Sequence, residues 1–414
     1  MSAPLPWGDT QSPWTTGQVK HLGNVTLGKM LQTKDTGQDV LAPYMRAANV
    51  QPDGVLALDD VKAMWFSPSE LGDLTLRQGD AVVVEGGQGG FGRAAYVGED
   101  LDGWGFQNSI NRIRPNAGNS GRFLAYYLIA LRATGFIRRY CNVVSMPHLT
   151  AEKLSAIPIP LPSGAEQHVI ADYLDRETSQ IDVLIAAQER FMRFLRERRG
   201  AVVDLLLEEA SEHGQVPLRY VAADITVGIV VQPSQWYVDN GVPALRGVNV
   251  RPGRIVLDDL VFISDDGHKH YRKSQLSTGD VVVVRTGQSG AAAVIPESLD
   301  GANAIDLLVI KPGKRLLGSY LEMVLNTPAT RERSSVEVVG SIQGHLNVAA
   351  LRALTIPVPP VDKQQEMTDR WREQAEEIDT LIAKTERHIE LAKDRRIALI
   401  TAAVTGQIDI PKEA

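Results

Sequence analysis

Two separated stretches of this chain carry nearly the same helical phrase. SQIDVLIAAQER at 179–190 returns as EEIDTLIAKTER at 376–387, sharing I, D, L, I, A, E and R in register. The offset that carries Ile181 onto Ile378 also aligns HLTAEKLSAIPIPLP at 148 with HLNVAALRALTIPVP at 345. Upstream, PYMRAANVQPDG at 43 matches PALRGVNVRPGR at 243, and LRQGDAVVVEGGQGG at 76 matches LSTGDVVVVRTGQSG at 276. Several matched blocks in one order, at a period far longer than a solenoid repeat, predict a duplicated domain pair.

Local chemistry gives each copy its elements. GDAVVVE and GDVVVVR are turns leading into β-branched runs, the signature of a strand. IPIPLP and TIPVPP alternate apolar residues with proline. Proline cannot donate to a sheet ladder, so these read as edge strands or extended segments that end each domain. After Pro162, Ser163 with Glu166 three residues on forms a capping-box pattern. Helical periodicity then runs to about Glu209, before Gly214 and Pro217. The second helix starts after Pro359–Pro360, with Asp362 as the expected cap, and stops near Gly406.

Heptad positions predict a coiled-coil-like seam. Leu174, Ile181, Leu195 and Val202 fall at one core position, with Gln188 interrupting, and Leu184, Phe191 and Leu205 at the other. The second copy offers Trp371, Ile378, Leu381, Ala392 and Leu399, with Thr385 in place of Gln188. A helix of about 40 residues is roughly 60 Å long and cannot bury its stripe against one small domain. The simplest partner is the other copy, paired antiparallel about an approximate two-fold axis with the two globular regions inverted. The expected fold is therefore α+β: two mixed, strand-rich globular domains separated by two long helices packed as an antiparallel coiled coil, a pseudo-two-fold internal repeat. The expected boundaries are 1–162, 163–214, 215–361 and 362–414.

Composition narrows the setting. The chain has 414 residues, which suits two to three domains, with 43% hydrophobic and 22% charged residues. One cysteine, Cys141, rules out an intramolecular disulfide framework and suits a reducing cytoplasm. No apolar run approaches the roughly 20 residues that span a bilayer, and the first residues lack the order of a signal peptide. A net charge of −7 argues against non-specific coating of nucleic acid but not against a local basic surface.

This ordered set resembles the specificity (S) subunits of Type I restriction–modification enzymes. The residues that carry it are IDVLIA and IDTLIA, IPIPLPSGAEQHVIADYLD at 157–175, GDVVVVRTGQSG at 279 and LITAAVTGQIDI at 399–410. The resemblance covers essentially the whole chain and implies a DNA-binding subunit without catalytic chemistry. Each globular region would be a target-recognition domain reading one half of a bipartite, interrupted duplex site. The helices would fix the gap and dock two methylation (M) subunits, with nuclease/translocase (R) subunits joining through the complex. Because the halves have diverged, the two half-sites should differ. The competing readings are a DNA-binding specificity or regulatory module outside such a complex, and an enzyme using a glycine-rich loop.

The residues themselves disfavour the enzyme. GGQGGFGRAA at 86 fits neither G-x-G-x-x-G opening a helix nor G-x-x-x-x-G-K-[ST], so no cofactor is expected. The eight histidines and one cysteine show no metal-ligand spacing, and no DPPY- or NPPF-like run is present. A glycine-rich loop after a strand lets backbone approach DNA, with rim side chains free to reach bases. The candidates are Gln88, Phe91 and Arg93 in the first copy and Arg285, Gln288 and Ser289 in the second, since Arg and Gln suit bidentate contacts to guanine and adenine. GHKHYRKS at 267 adds Lys269, Arg272 and Lys273 as phosphate contacts, with His268 or His270 as a pH-sensitive contact. NSINRIRPN at 108 adds Arg112 and Arg114, though strand alternation would turn half of it inward. Arg46 and Arg246 occupy matched positions, which favours a scaffold or phosphate role over distinct base readout. ERFMRFLRERR at 189 reads first as a solvated helix face.

Overall fold

The computed structural model describes residues 12–87, 89–141, 147–286, 289–336 and 346–410. They fall into two compact units, one drawn from Met1–Glu189 with Arg387–Ala414, the other from Arg190–Glu386. The division cuts both long helices.

In the first unit an antiparallel sheet runs in the order Gly23–Leu27, Ile110–Pro115, Ala81–Val84, Ala94–Tyr96. The inner strand Ala81–Val84 accounts for its own sequence. Ala81 and Val83 face a core with Phe123, Leu124 and Tyr127 of the helix Gly121–Ala133. Val82 and Val84 face a second core with Phe66, Phe106 and Ile110. Successive strand residues point to opposite faces, so a strand buried on both sides needs an unbroken apolar run. Each such Val or Phe contributes roughly 1.5–3 kcal/mol of burial. A three-stranded sheet, ordered Lys62–Phe66, Val40–Met45, Gly105–Phe106, supplies Met64, Tyr44 and Met45 to that second core.

The second unit repeats the scheme. Its sheet order is Ala222–Val227, Leu307–Pro312, Val281–Val284, Ala292–Val294. Val281 and Val283 meet Tyr320, Leu321 and Val324 of the helix Gly318–Leu325. Val282 and Val284 meet Leu245 and Leu307. The proline-rich segments form two-stranded ladders, Pro158–Pro160 with Thr16–Gln18 and Thr355–Pro357 with Gln215–Pro217. They are edge strands, as proline demands.

The long helices span Gly164–Ser211 and Val361–Thr405. Ser163 caps the first: Glu166 N–H donates to Ser163 Oγ at 3.3 Å, and Ser163 N–H to Glu166 Oε2 at 2.8 Å. The second departs from expectation. It begins at Val361, the Gln364 N–H bonds the Pro360 carbonyl at 3.0 Å, and Asp362 lies inside the first turn. There an acidic side chain still favours the helix N-terminus.

The seam also needs one correction. Leu174, Ile181, Leu195 and Ile378 are buried, and Trp371 and Leu399 are partly buried. Leu184, Phe191, Leu205 and Leu381 are exposed, at 50, 43, 63 and 41%. The covered second position lies four residues after the first, not three, at Thr178, Ile185, Met192 and Leu206. Both spacings share one helix face, so side-chain size pointed to the wrong flank. In the second unit, Arg196–Glu386 at 3.2 Å, Arg199–Asp379 at 2.9 Å and Glu209–Arg370 at 3.1 Å join the two helix segments. As numbering rises along one segment it falls along the other. In the first unit Arg396 pairs with Asp182 at 2.9 Å.

Candidate nucleic-acid interface

The glycine-rich stretches are hairpin turns hung from the inner strands. Val84 N–H donates to the Arg93 carbonyl at 2.8 Å, and Gly92 N–H to the Val84 carbonyl at 3.0 Å. Gly87, Gly89 and Gly92 have φ of 104, 79 and 72°, the left-handed region that glycine enters freely. The repeated His-Leu segment seats against the same strand end: Leu149 N–H bonds the Glu85 carbonyl and Leu346 N–H the Arg285 carbonyl. Charge inverts at that matched position. Glu85 pairs with His148 at 2.9 Å, and Arg285 with Asp306 at 2.5 Å.

Gln88 and Gln288 lie outside the described residues. Phe91 packs partly buried on the first core, with its carbonyl accepting from Arg132 Nε at 3.2 Å. Arg93 is half-buried, its Nε without a hydrogen-bond partner. Ser289 is half-buried, and Arg285 is engaged by Asp306 and the Leu346 carbonyl.

Arg112 and Arg114 are placed differently from expectation. Arg112 is buried, donating to the Asp73 and Thr75 carbonyls at 2.9 and 3.1 Å and to Thr26 Oγ1 at 3.2 Å, over the Phe106 ring at 5.4 Å. Burial, with Arg114 alongside, pushes its guanidinium pKa down to about 10. Arg114 grips Asp80 through two bonds of 2.8 and 2.7 Å, and the Asp80 carboxylate raises its pKa. Both fasten the strand Ile110–Pro115 to the 73–80 turn, because a buried guanidinium needs carbonyls and carboxylates around it. In the second unit Lys311 faces Asp280 at 3.8 Å. Arg46 and Arg246 likewise brace their own loops, through Asp60 at 2.6 Å and the Asp259 carbonyl at 2.6 Å. Asn49 and Asn249 accept the N–H of Arg46 and Arg246 and donate across the same loops.

Lys269, His270, Arg272 and Lys273 do come together at a surface, on the short helix Asp265–His270 and the turn after it. Ser264 caps that helix by accepting from Gly267 N–H at 3.2 Å. His270 stacks on Trp236 at 5.6 Å and meets Tyr271 edge-on at 4.7 Å. His268 is turned inward, its Nδ1 2.6 Å from Asn303 Oδ1. Trp236, more than thirty residues upstream, has no cue in the local sequence that joins it to this cluster. The surface offers four cationic or titratable groups on an aromatic base, a combination that suits phosphates and base faces.

Exposed apolar side chains also escaped sequence reasoning. Met30 and Leu31 are 74 and 51% exposed in the first unit. Val230 and Val231, two and three residues after Gly228 as Met30 and Leu31 are after Gly28, are exposed in the second. Two buried glutamines tie each unit to its long helix: Gln167 Oε1 accepts from Ser120 N–H at 3.0 Å, and Gln364 Oε1 from Leu317 N–H at 2.9 Å. Among the described residues no group of His, Cys, Asp and Glu is placed to hold a metal ion, and no helix is long and apolar enough to cross a membrane.

Comparison with known proteins agrees with this architecture. Residues 11–188 match the family model of the Type I restriction modification DNA specificity domain. The EcoBI specificity subunit of Escherichia coli is 25% identical over 281 residues, covering 59% of this chain and 56% of that protein. The MjaVIII specificity subunit of Methanocaldococcus jannaschii is 24% identical over 308 residues, covering 69% of this chain and 70% of that protein. A solved chain from work on the assembly and conformational transition of the type I R-M system covers 96% of this chain with a TM-score of 0.70 at 17% identity. The HsdS subunit of Thermoanaerobacter tengcongensis covers 98% with a TM-score of 0.52 at 18% identity. Residues 11–188 thus match the Type I specificity-domain family, and the chain as a whole is similar to Type I restriction enzyme specificity subunits. Its alignment spans little more than half the length of the EcoBI relative.

Proposed function

We propose that this chain is the non-catalytic DNA-reading subunit of a Type I restriction–modification complex. Each strand-rich region, 1–162 and 215–361, reads one half of a bipartite duplex site. The helical regions 163–214 and 362–414 pair as an antiparallel coiled coil that sets the gap. The observation that carries the reading is one sheet order recurring in both units around a doubly buried Val-rich strand. A pseudo-two-fold frame is supported by Arg199–Asp379 and Arg396–Asp182, because the sequence repeat carries Arg199 onto Arg396 and Asp182 onto Asp379. Inverted readers on such a frame suit half-sites in inverted orientation.

DNA contact in the second reader is assigned to Lys269, His270, Arg272 and Lys273, with Trp236 stacked on His270. In the first reader it is assigned to the glycine-rich turn around Gln88 and Arg93. Methyl transfer comes from two M subunits. Exposed apolar positions on the first long helix, Val183 and Leu184 in one unit and Phe191 and Phe194 in the other, suit their docking. R subunits join through that complex. The setting is the cytoplasm, where the DNA and these partners are.

A base-resolution adenine methylome of a host co-expressing this chain with its methyltransferase subunits tests the reading. A two-part motif with a fixed gap is expected, and replacing residues 1–160 should change one half alone. Methylation of a short continuous motif would overturn it. A regulator outside such a complex would bind duplex DNA yet leave the methylome unchanged.

A further inference from the structure

The two long helices carry arginines at matched repeat positions, Arg199 and Arg396, and the structure uses them differently. Arg396 is 7% exposed. Besides Asp182, its Nη2 donates to the Asp53 carbonyl at 3.1 Å, and Nη1 stands 3.9 Å from Asp53 Oδ1. Asp53 lies in the Pro52–Gly54 turn of the first strand-rich region, at φ 64°. In the second unit the matched turn is Pro252-Gly253-Arg254, where glycine replaces the aspartate. Arg199 pairs with Asp379 and lies over the Trp371 ring at 4.9 Å. The repeat places Leu174 where the second copy has Trp371, so Arg396 lacks the ring that Arg199 lies over at the matched position. Between Arg199 and the Pro252–Gly253 turn lies a cavity of about 260 Å³. That turn is bonded to its own sheet instead, through Gly253 N–H to the Ala292 carbonyl at 3.0 Å.

We propose that Arg396 is a positioning residue that fastens the Pro52–Gly54 turn of the first reader to the second long helix, a fastening with no counterpart among the described residues of the second. Both units share the buried glutamine anchor, Gln167 or Gln364. The first unit adds Arg122 with Asp172 and Asp175, the Tyr126 hydroxyl on Asp175, and this tie from Arg396, which alone holds the Pro52–Gly54 turn, so the two turns are held on their helices with unequal stiffness. The consequence for DNA reading rests on the function proposed above. The fastening does not, and the test is run without DNA.

Hydrogen–deuterium exchange of the full chain decides it. Arg396→Gln is expected to speed exchange of amides 51–57 by roughly tenfold, the equilibrium factor of one charge-assisted hydrogen bond. Arg199→Gln is expected to leave amides 251–257 unchanged. Unaltered exchange at 51–57 in Arg396→Gln, or equal loosening at 251–257 in Arg199→Gln, overturns the proposal. If Arg396→Gln does not fold, Trp371→Leu with Gly253→Asp rebuilds the first unit's set in the second. A Cβ at Gly253 meets no atom within 4 Å, and aspartate tolerates its φ of 75°. That variant should slow exchange at 254–257, and no slowing counts against the proposal.

Discussion

An arginine in this protein is a strut or a contact according to what surrounds its guanidinium. Arg112 satisfies two carbonyls and a hydroxyl in the interior. Arg112→Met leaves those acceptors unpaired and should cost about 2–4 kcal/mol, read as a lowered Tm, with duplex binding by the folded protein intact. Lys269, Arg272 and Lys273 meet solvent instead. Replacing all three with Gln should change the stability by only about 0.5 kcal/mol per site, read as a nearly unchanged Tm. It should flatten the dependence of log affinity on log salt by about 0.9 for each phosphate no longer neutralised, measured by fluorescence anisotropy. An unchanged slope would remove this cluster from the interface. Burial also raises the Glu322 carboxyl above the ordinary glutamate value, outweighing the Val294 N–H it accepts. A raised carboxyl contributes stability below its unfolded pKa and loses it as pH rises through the folded value. Glu322→Gln should therefore lessen the fall in Tm as pH rises from about 4.5 to neutrality, in a thermal melt series.

At the scale of the helix, burial sorts positions that hydrophobicity alone ranks together. Leu174 is fully buried, so Leu174→Ala should cost about 2–5 kcal/mol. Leu184 is half exposed, and Leu184→Ala should change the stability of the chain alone by about 0.5 kcal/mol or less. Chemical denaturation of both variants separates the covered stripe from the flank. Co-purification with M subunits then shows whether Leu184 acts as docking surface. The strands behaved more simply. A Val run after GD is legible because a doubly buried strand has no polar face to disguise it.

For the whole molecule, duplication is the governing fact. A heptad inserted at matched points of both long helices keeps each stripe in phase. It should lengthen the gap in the methylated motif while both half-sites stay the same. Altered bases in either half would sink the role of the helices as spacer. The repeat also exposes where the copies diverge: Glu85 against Arg285, Leu174 against Trp371, Asp53 against Gly253. Those differences lie at an ion pair, a helix position and a turn rather than in the strands, so the two units share a scaffold while their attachments and surfaces differ.

The sequence by itself determined the duplication, the strand runs, the capped start of the first helix and the edge role of the proline segments. Each depends on covalent geometry or on residues close in the chain. Tertiary structure alone decided which arginines remain free. Arg112 and Lys273 carry the same formal charge, and only the Asp73 and Thr75 carbonyls around the first tell them apart. It also decided the flank of the seam, since spacings of three and four residues share one helix face until a neighbour covers one of them. Trp236 reached His270, and Arg396 reached Asp53, only through folding. Contacts across such separations leave no local periodicity to read.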